Sequence, residues 1–128
     1  MTLILDAGGV SALAGQRARL AELRRRGHWP AQVPTVVLAE ALTGDHRRDF
    51  HTNRLLCACQ IRDVDEQRAR EAARLRAATG RAATISATDA IVVAFAGSAE
   101  ASLVLTSDPD DLGALARHTA RRVAIGRV

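Results

Sequence analysis

The hydrophobic residues of this chain form short apolar runs that alternate with longer segments of helical periodicity. Two runs, Thr2–Leu5 and Ser102–Thr106, are rich in aliphatic side chains and predict buried parallel strands. Weaker apolar patterns at Val33, Gln60–Val64 and Arg122–Ile125 predict further strands. Strands that alternate with helices predict an α/β fold, a three-layer α/β/α domain with a mainly parallel central sheet.

The segments between these strands carry apolar residues at helical spacing, and three of them are followed by a glycine that is typical of a helix end. The predicted helices are Val10–Arg26, Val36–Thr43, residues 46–58, Asp65–Thr79, Ser86–Ala96 and Asp110–Arg117. The total of 128 residues fits one domain, residues 1–128, and no linker or repeat divides the chain.

The composition excludes several functions. All 18 basic residues are arginine, so a phosphate-binding P-loop, Schiff-base chemistry and Ser-Lys catalysis are ruled out. Aromatic residues make up 2% of the chain, which argues against a platform that stacks bases. The net charge of +4 and the pI of about 10.8 favour polyanionic partners.

The cysteines and the apolar segments point to the cytoplasm as the expected compartment. Cys57 and Cys59 are one residue apart, a poor spacing for a disulfide, and no signal peptide is recognisable. The weakly charged stretch Ala82–Ala99 contains an aspartate and predicts a buried helix, so no membrane partner is expected. A zinc site formed by the cysteines with His46 and His51 is disfavoured by the histidine spacing, and both cysteines are expected to be half-buried.

Four carboxylates lie in apolar surroundings. Asp6 and Asp108 each follow a predicted strand, and ligands of open parallel sheets bind beyond the carboxyl ends of the strands. Glu40 and Asp89 each lie in a predicted apolar helix with no lysine anywhere in the chain to neutralise them. A lone carboxylate is costly to bury unless it is paired, hydrogen-bonded or bound to a metal ion.

Each of these acids also has a simpler structural interpretation. Asp6 could accept hydrogen bonds in a turn, and Glu40 could lie on a solvated helix stripe. Asp89 ends a capping-box pattern that begins at Ser86, and Asp108 precedes a proline as a helix N-cap does. Capping is compatible with metal binding, because a cap occupies only one carboxylate oxygen.

Taken together, the four acids resemble the pattern of the PIN-domain nucleases, and in particular the VapC-type toxins of bacterial toxin–antitoxin pairs. The order is Asp, Glu, Asp, Asp, placed on a strand end, two helices and a second strand end. The matching segments are Leu3–Ala7, Pro34–Glu40, Thr88–Ala94 and Leu105–Asp108. The resemblance extends over the whole chain, and order, spacing and length together make it specific.

The resemblance implies an endoribonuclease whose catalytic and metal-binding residues are Asp6, Glu40, Asp89 and Asp108. Mg²⁺ or Mn²⁺ would suit these oxygen ligands, since four carboxylates in one crevice cannot all ionise without a cation. It also implies an RNA substrate, a homodimer and a cognate antitoxin whose C-terminal segment fills a groove. Ten acidic residues remain besides these four, against 18 arginines, so the rest of the chain is strongly basic.

One position departs from the family pattern. The family usually has Ser or Asn two residues after the first aspartate, where this chain has Gly8. An alternative function is therefore a catalytically impaired PIN-like module that binds RNA or protein without cutting. Thr106 matches a commonly polar position and is expected to orient the acids, and Asp110 and Asp111 are possible auxiliary ligands. A metal-dependent phosphatase is a weaker option, because no DxDxT motif follows the first strand.

Overall fold

The computed structural model describes residues 1–128 and has five strands and seven helices. In chain order these are β1 Thr2–Leu5, α1 Ala7–Ala14, α2 Arg17–Arg25, β2 Gln32–Pro34, α3 Thr35–Ala41, α4 Phe50–Cys57, β3 Gln60–Arg62, α5 Glu66–Ala78, α6 Ala87–Ser98, β4 Ala101–Thr106, α7 Pro109–Ala116 and β5 Arg122–Arg127. The strands form one sheet in the order β3-β2-β1-β4-β5, and every pair is parallel. The predicted α/β class is thereby confirmed, with a sheet that is wholly parallel.

The sheet is covered on both faces. Leu3, Ile4 and Leu5 of β1 are each at most 1% exposed, although successive strand residues point to opposite faces. Helices α1 and α6 both pack against β1, and 24 buried hydrophobic residues form one core cluster. None of the seven helices combines the length and the apolar character that a membrane crossing needs.

Two predicted helices differ from the observed ones. The segment Val10–Arg26 forms two helices, because the chain ends α1 at Gly15, whose N–H donates to helix carbonyls, and restarts after Gln16. Residues 46–49 are not helical. There the Asp45 side chain accepts hydrogen bonds from the backbone of Arg47 and Arg48, a local turn that competes with helix formation.

The register of the central strands brings two chain segments to the same edge. Leu5 of β1 lies opposite Leu105 of β4, and the Asp6 N–H donates to the Leu105 carbonyl at 3.5 Å. The residues that follow both strands therefore leave the sheet side by side. This adjacency is the condition under which Asp6 and Asp108 can contribute to one site.

Candidate active site

Asp6 lies at the carboxyl end of β1 and is the N-cap of α1. Its Oδ1 accepts the Gly9 N–H at 2.7 Å, and the residue is 9% exposed. Burial raises the pKa of the Asp6 carboxyl, hydrogen bonds from Thr106 and Gly9 act in the opposite direction, and the charge of Glu40 raises it further. The turn interpretation is thus correct for Asp6, but its hydrogen bonds do not offset burial and repulsion.

Thr106 links the two strand-end acids. Its hydroxyl interacts with the Asp6 carboxyl and favours the ionised form of that group. The Asp108 N–H donates to the same Thr106 Oγ1 at 3.1 Å, and Thr106 itself is 1% exposed. The same hydroxyl donates to the Asp108 carbonyl at 3.3 Å, so Thr106 lies between Asp6 and the backbone of Asp108, and its orienting role stays a prediction.

Asp89 lies in the first turn of α6, where the Ser86 Oγ accepts its N–H at 3.1 Å. The predicted cap at Ser86 is therefore present. Burial raises the pKa of the Asp89 carboxyl to about 6, against a hydrogen bond from Ser86 that lowers it. The charges of Asp6, Asp111 and Glu40 raise it further, so Asp89 lies among other acids.

Glu40 lies near the end of α3 and is exposed to solvent. Its charge nevertheless acts on the carboxyl groups of both Asp6 and Asp89. The charge of Glu40 therefore reaches two acids that are far from it in the sequence. Asp111, which the sequence analysis considered as an auxiliary ligand, also acts on Asp89 and forms an ion pair with Arg81 at 2.7 Å.

Asp108 has a different environment. It is exposed and caps α7, where its Oδ1 accepts the Asp110 N–H at 3.5 Å. It is not among the charges that raise the pKa of Asp6 or Asp89, so its link to the other acids runs through Thr106. In this arrangement no three Asp, Glu, His or Cys side chains converge closely enough to hold one ion.

The donor set nevertheless fits a hard divalent cation. Asp6, Glu40 and Asp89 offer only carboxylate oxygens, which Mg²⁺ and Mn²⁺ prefer. The raised pKa values of Asp6 and Asp89 reflect desolvation and, after it, repulsion by neighbouring acids, and a bound cation would favour the ionised form of both. Neutralising these carboxylates requires a positive charge, and no lysine or histidine beside Asp6 or Asp89 supplies one.

The four residues considered for zinc do not form such a group. Cys59 is half-buried as expected, its thiol donates to the Leu55 carbonyl at 3.3 Å, and burial raises its pKa to about 11. The expectation for Cys57 was wrong, because this residue is exposed near the end of α4. A thiol held in its neutral form is a poor zinc ligand, since the thiolate is the form that binds the metal.

The fold is that of a PIN domain. The family model described as PIN domain matches residues 6–118, so the chain belongs to this family. The matched range includes Asp6, Glu40, Asp89 and Asp108. No curated protein sequence matches the chain significantly.

Solved structures with the same fold come from several organisms. The DNA-bound VapBC of Salmonella typhimurium is 17% identical, with a TM-score of 0.68 and 98% of each chain covered. VapBC2 of Rickettsia felis, bound to a DNA fragment from its promoter, is 13% identical, with a TM-score of 0.73 and coverage of 98% and 99%. PAE2754 of Pyrobaculum aerophilum is 16% identical, with a TM-score of 0.65 and coverage of 97% and 83%. At these identities the likeness concerns the fold.

Proposed function

We propose that this protein is an endoribonuclease dependent on Mg²⁺ or Mn²⁺ that acts as the toxin of a type II toxin–antitoxin pair. The observation that carries the proposal is the raised pKa of the Asp6 and Asp89 carboxyls, which follows from burial and, to a smaller extent, from the charge of Glu40 acting on both. A PIN-family chain of this length and a fold shared with VapBC structures support the assignment.

Asp6, Glu40, Asp89 and Asp108 would hold the metal ion. When bound, the cation supplies Lewis-acid activation of the phosphodiester and of the attacking water. Asp6 is oriented by the Gly9 N–H and the Thr106 hydroxyl. Asp89, with a pKa of about 6, is ionised at neutral pH and available as a ligand. Asp108 is placed at the rim through its backbone bond to Thr106.

The arginine surface supports an RNA substrate and narrows the choice of contacts. Several arginines are engaged within the protein, because Arg26, Arg70 and Arg74 form ion pairs and Arg76 donates to backbone carbonyls. Arg47 and Arg48 are exposed without an ion-pair partner, in the loop that follows the helix of Glu40. We assign phosphate contacts to this pair, so Arg47→Ala with Arg48→Ala should weaken binding of all RNAs and reduce the salt slope by about 1 to 2.

A cleft between α1, α2 and α4 suits the proposed antitoxin. Its volume is about 390 Å³, and it combines apolar walls with a basic rim: Leu13, Ala14, Leu20, Ala21, Leu55 and Ala58 with Arg17, Arg24 and Arg54. A peptide with apolar and acidic side chains would complement such a surface. The two VapBC structures with this fold are toxin–antitoxin assemblies by name, which supports an antitoxin as partner. We also propose a homodimer, which light scattering would detect as twice 13.6 kDa.

The direct test is cleavage of structured RNA by the purified protein in Mg²⁺, in Mn²⁺ and in EDTA. We expect cleavage with either metal and none in EDTA. The matched variants are Asp6→Asn at the site and Asp63→Asn at an exposed position outside it. Loss of cleavage in the first and retention in the second supports the proposal, and cleavage that persists in EDTA contradicts it.

The second candidate is a PIN-like module that binds RNA or protein without cutting, and Gly8 is the observation that favours it. The same experiment separates the two functions. A protein that binds RNA and Mn²⁺ yet leaves every RNA intact would support the binding module. Cleavage that depends on Asp6 would rule it out.

A further inference from the structure

Gly8 packs against Ser107 where α1 meets the turn between β4 and α7. A Cβ atom on Gly8 would overlap the Ser107 Oγ and would lie 3.0 Å from both the Cβ and the backbone nitrogen of Ser107. The Ser107 side chain therefore occupies the space that a side chain at position 8 would need. The Ser107 hydroxyl fits here because Gly8 has no side chain.

This contact lies between the two strand-end acids. Gly8 is two residues after Asp6, and its backbone N–H interacts with the Asp6 carboxyl. Ser107 directly precedes Asp108 and is exposed, and its hydroxyl forms no hydrogen bond within the protein. The neighbouring hydroxyl of Thr106 is already engaged with Asp6 and with the backbone of Asp108. Ser107 thus presents an uncommitted hydroxyl directly beside Asp108 at this edge.

We propose that Ser107 is a positioning residue of the acidic site and supplies, from the β4–α7 turn, the polar side chain that Gly8 lacks. Its hydroxyl would hydrogen-bond to a water of the cation's hydration shell or to an acid that ligates the cation. Mg²⁺ keeps several of its waters when proteins bind it, so such outer contacts are part of its binding. The proposal rests on the function proposed above, and it removes the reason to regard Gly8 as a sign of an inactive site.

The variant Ser107→Ala distinguishes the effect of the Ser107 hydroxyl from the effect of the space that its side chain fills. Alanine keeps the Cβ next to Gly8 and removes only the oxygen. Loss of a group that orients a metal ligand costs about 10- to 100-fold in metal affinity. We therefore expect the Kd for Mn²⁺, measured by titration calorimetry without RNA, to rise roughly tenfold. Melting in EDTA should be unchanged, and cleavage should fall by a similar factor at limiting Mn²⁺.

Two further variants serve as controls. Ser107→Thr retains a hydroxyl and should keep the Mn²⁺ affinity close to that of the unmodified protein. Ser11→Ala removes an exposed serine hydroxyl from the outer part of α1 and should change nothing. Equal Mn²⁺ affinity in Ser107→Ala and the unmodified protein would show that Ser107 only fills space, and would overturn the proposal.

A swap across the contact provides a second, independent test. Gly8→Ser alone must displace Ser107 and should weaken Mn²⁺ binding. Ser107→Gly removes the Cβ that a side chain at position 8 would approach, and this variant should also bind Mn²⁺ more weakly. The double variant returns a hydroxyl to the same space from α1, so it should recover most of the lost affinity. A double variant that binds no better than Ser107→Gly would contradict the inference.

The outcome for the unmodified protein separates the two proposals. If it binds Mn²⁺ and cuts RNA while Ser107→Ala behaves identically, only the role of Ser107 fails. If it neither binds Mn²⁺ nor cuts RNA, the nuclease function fails and the role of Ser107 fails with it.

Discussion

Asp6 and Asp49 are the two buried acids of this protein, and their surroundings are opposite. Asp49 is 5% exposed and accepts hydrogen bonds from the Thr43 N–H, the Thr43 hydroxyl and the Gly44 N–H, all within 3.1 Å. These bonds hold the pKa of the Asp49 carboxyl below its usual range. Asp49 is therefore a charged residue whose native environment favours its charge, and it fixes the loop after α3.

Asp6 is 9% exposed, but its pKa is raised, because its hydrogen bonds do not balance burial and the charge of Glu40 lies nearby. The fold places this carboxylate where ionisation is unfavourable. Burial alone therefore does not distinguish a structural acid from a functional one. Both acids accept hydrogen bonds, but at Asp49 these outweigh burial, whereas at Asp6 burial outweighs them and the charge of Glu40 adds to it.

The largest effect should come from Asp6→Asn. Asparagine keeps the shape of the side chain and an oxygen that can accept the Gly9 N–H, but it removes the charge that a cation needs. We expect RNA cleavage in Mn²⁺ to fall at least about 100-fold, because losing even a group that only orients a metal ligand costs about 10- to 100-fold. Thermal melting in EDTA should stay equal or rise, because repulsion in the empty site decreases.

The decisive comparison is melting in EDTA beside cleavage in Mn²⁺ for the same preparation. A much lower melting temperature for Asp6→Asn would make Asp6 a structural residue like Asp49. Undiminished cleavage would remove it from the catalytic group. Asp63→Asn, an exposed acid changed in the same way, sets the background for both measurements.

Asp49→Asn should give the opposite profile. The amide brings a donor into a pocket where the groups of Thr43 and Gly44 already donate, so the melting temperature should fall clearly at pH 7. Because the folded-state pKa is lowered, the stability that Asp49 contributes is present above the unfolded pKa, near 3.9, and is lost as pH falls through the folded value. The two proteins should therefore differ most at neutral pH and converge in acid.

Cleavage per folded molecule should be unchanged in Asp49→Asn when both proteins are compared well below their melting temperatures. A variant that melts normally would show that the hydrogen bonds to Asp49 add little stability. A variant that is stable but inactive would move Asp49 into the functional group and end the contrast with Asp6.

The sequence predicted one of these acids and missed the other, for a physical reason. Asp6 follows an aliphatic strand, and its position beyond a parallel strand indicates a site. Asp49 lies within residues 46–58, the segment predicted as a helix, and nothing in that segment shows that Thr43 and Gly44 converge on Asp49. Local hydrogen-bonding turns of this kind compete with helices in ways that apolar periodicity does not reveal.

The fold class followed from apolar runs, because strands buried on both faces need continuous aliphatic sequence. The overlap between Gly8 and Ser107 could not be predicted, since the two residues are 99 positions apart and meet only through the pairing of β1 with β4. The membership of Asp6, Glu40, Asp89 and Asp108 in one metal site remains a prediction, supported by the charge of Glu40 acting on both Asp6 and Asp89.

The third prediction concerns the pH dependence of metal binding. Asp89 has a pKa of about 6, so below that value it binds a proton that a cation must displace. The affinity for Mn²⁺ should therefore be constant near pH 7 to 8 and fall about tenfold per pH unit below pH 6. Calorimetry at pH 7.5, 6.5 and 5.5 measures this fall. A flat affinity over that range would exclude Asp89 as a ligand.

The smallest effect concerns stability without metal. The folded-state pKa of Asp89 is raised to about 6 from an unfolded value near 3.9. Between these values the unfolded chain releases its proton first, so stability falls as pH rises through this window. The stability of Asp89→Asn should not fall in this way, because the asparagine side chain does not titrate. We expect it to be more stable than the unmodified protein at pH 7.5 in EDTA by about 1 kcal/mol, a value reduced for solvent screening of the half-exposed carboxyl.

Urea unfolding in EDTA at pH 4 and pH 7.5 tests this expectation, and saturating Mn²⁺ then provides the control. A cation that binds only the folded protein stabilises it by about 2.7 kcal/mol at a concentration 100 times its Kd. The unmodified protein should gain this stability, and Asp89→Asn should gain much less, so the order of the two stabilities reverses when metal is added. Asp49→Asn should show no such reversal, because Asp49 lies among donors and not among acids. If the order of stabilities does not reverse at Asp89, the raised pKa of Asp89 reflects burial alone and not a place in a metal site.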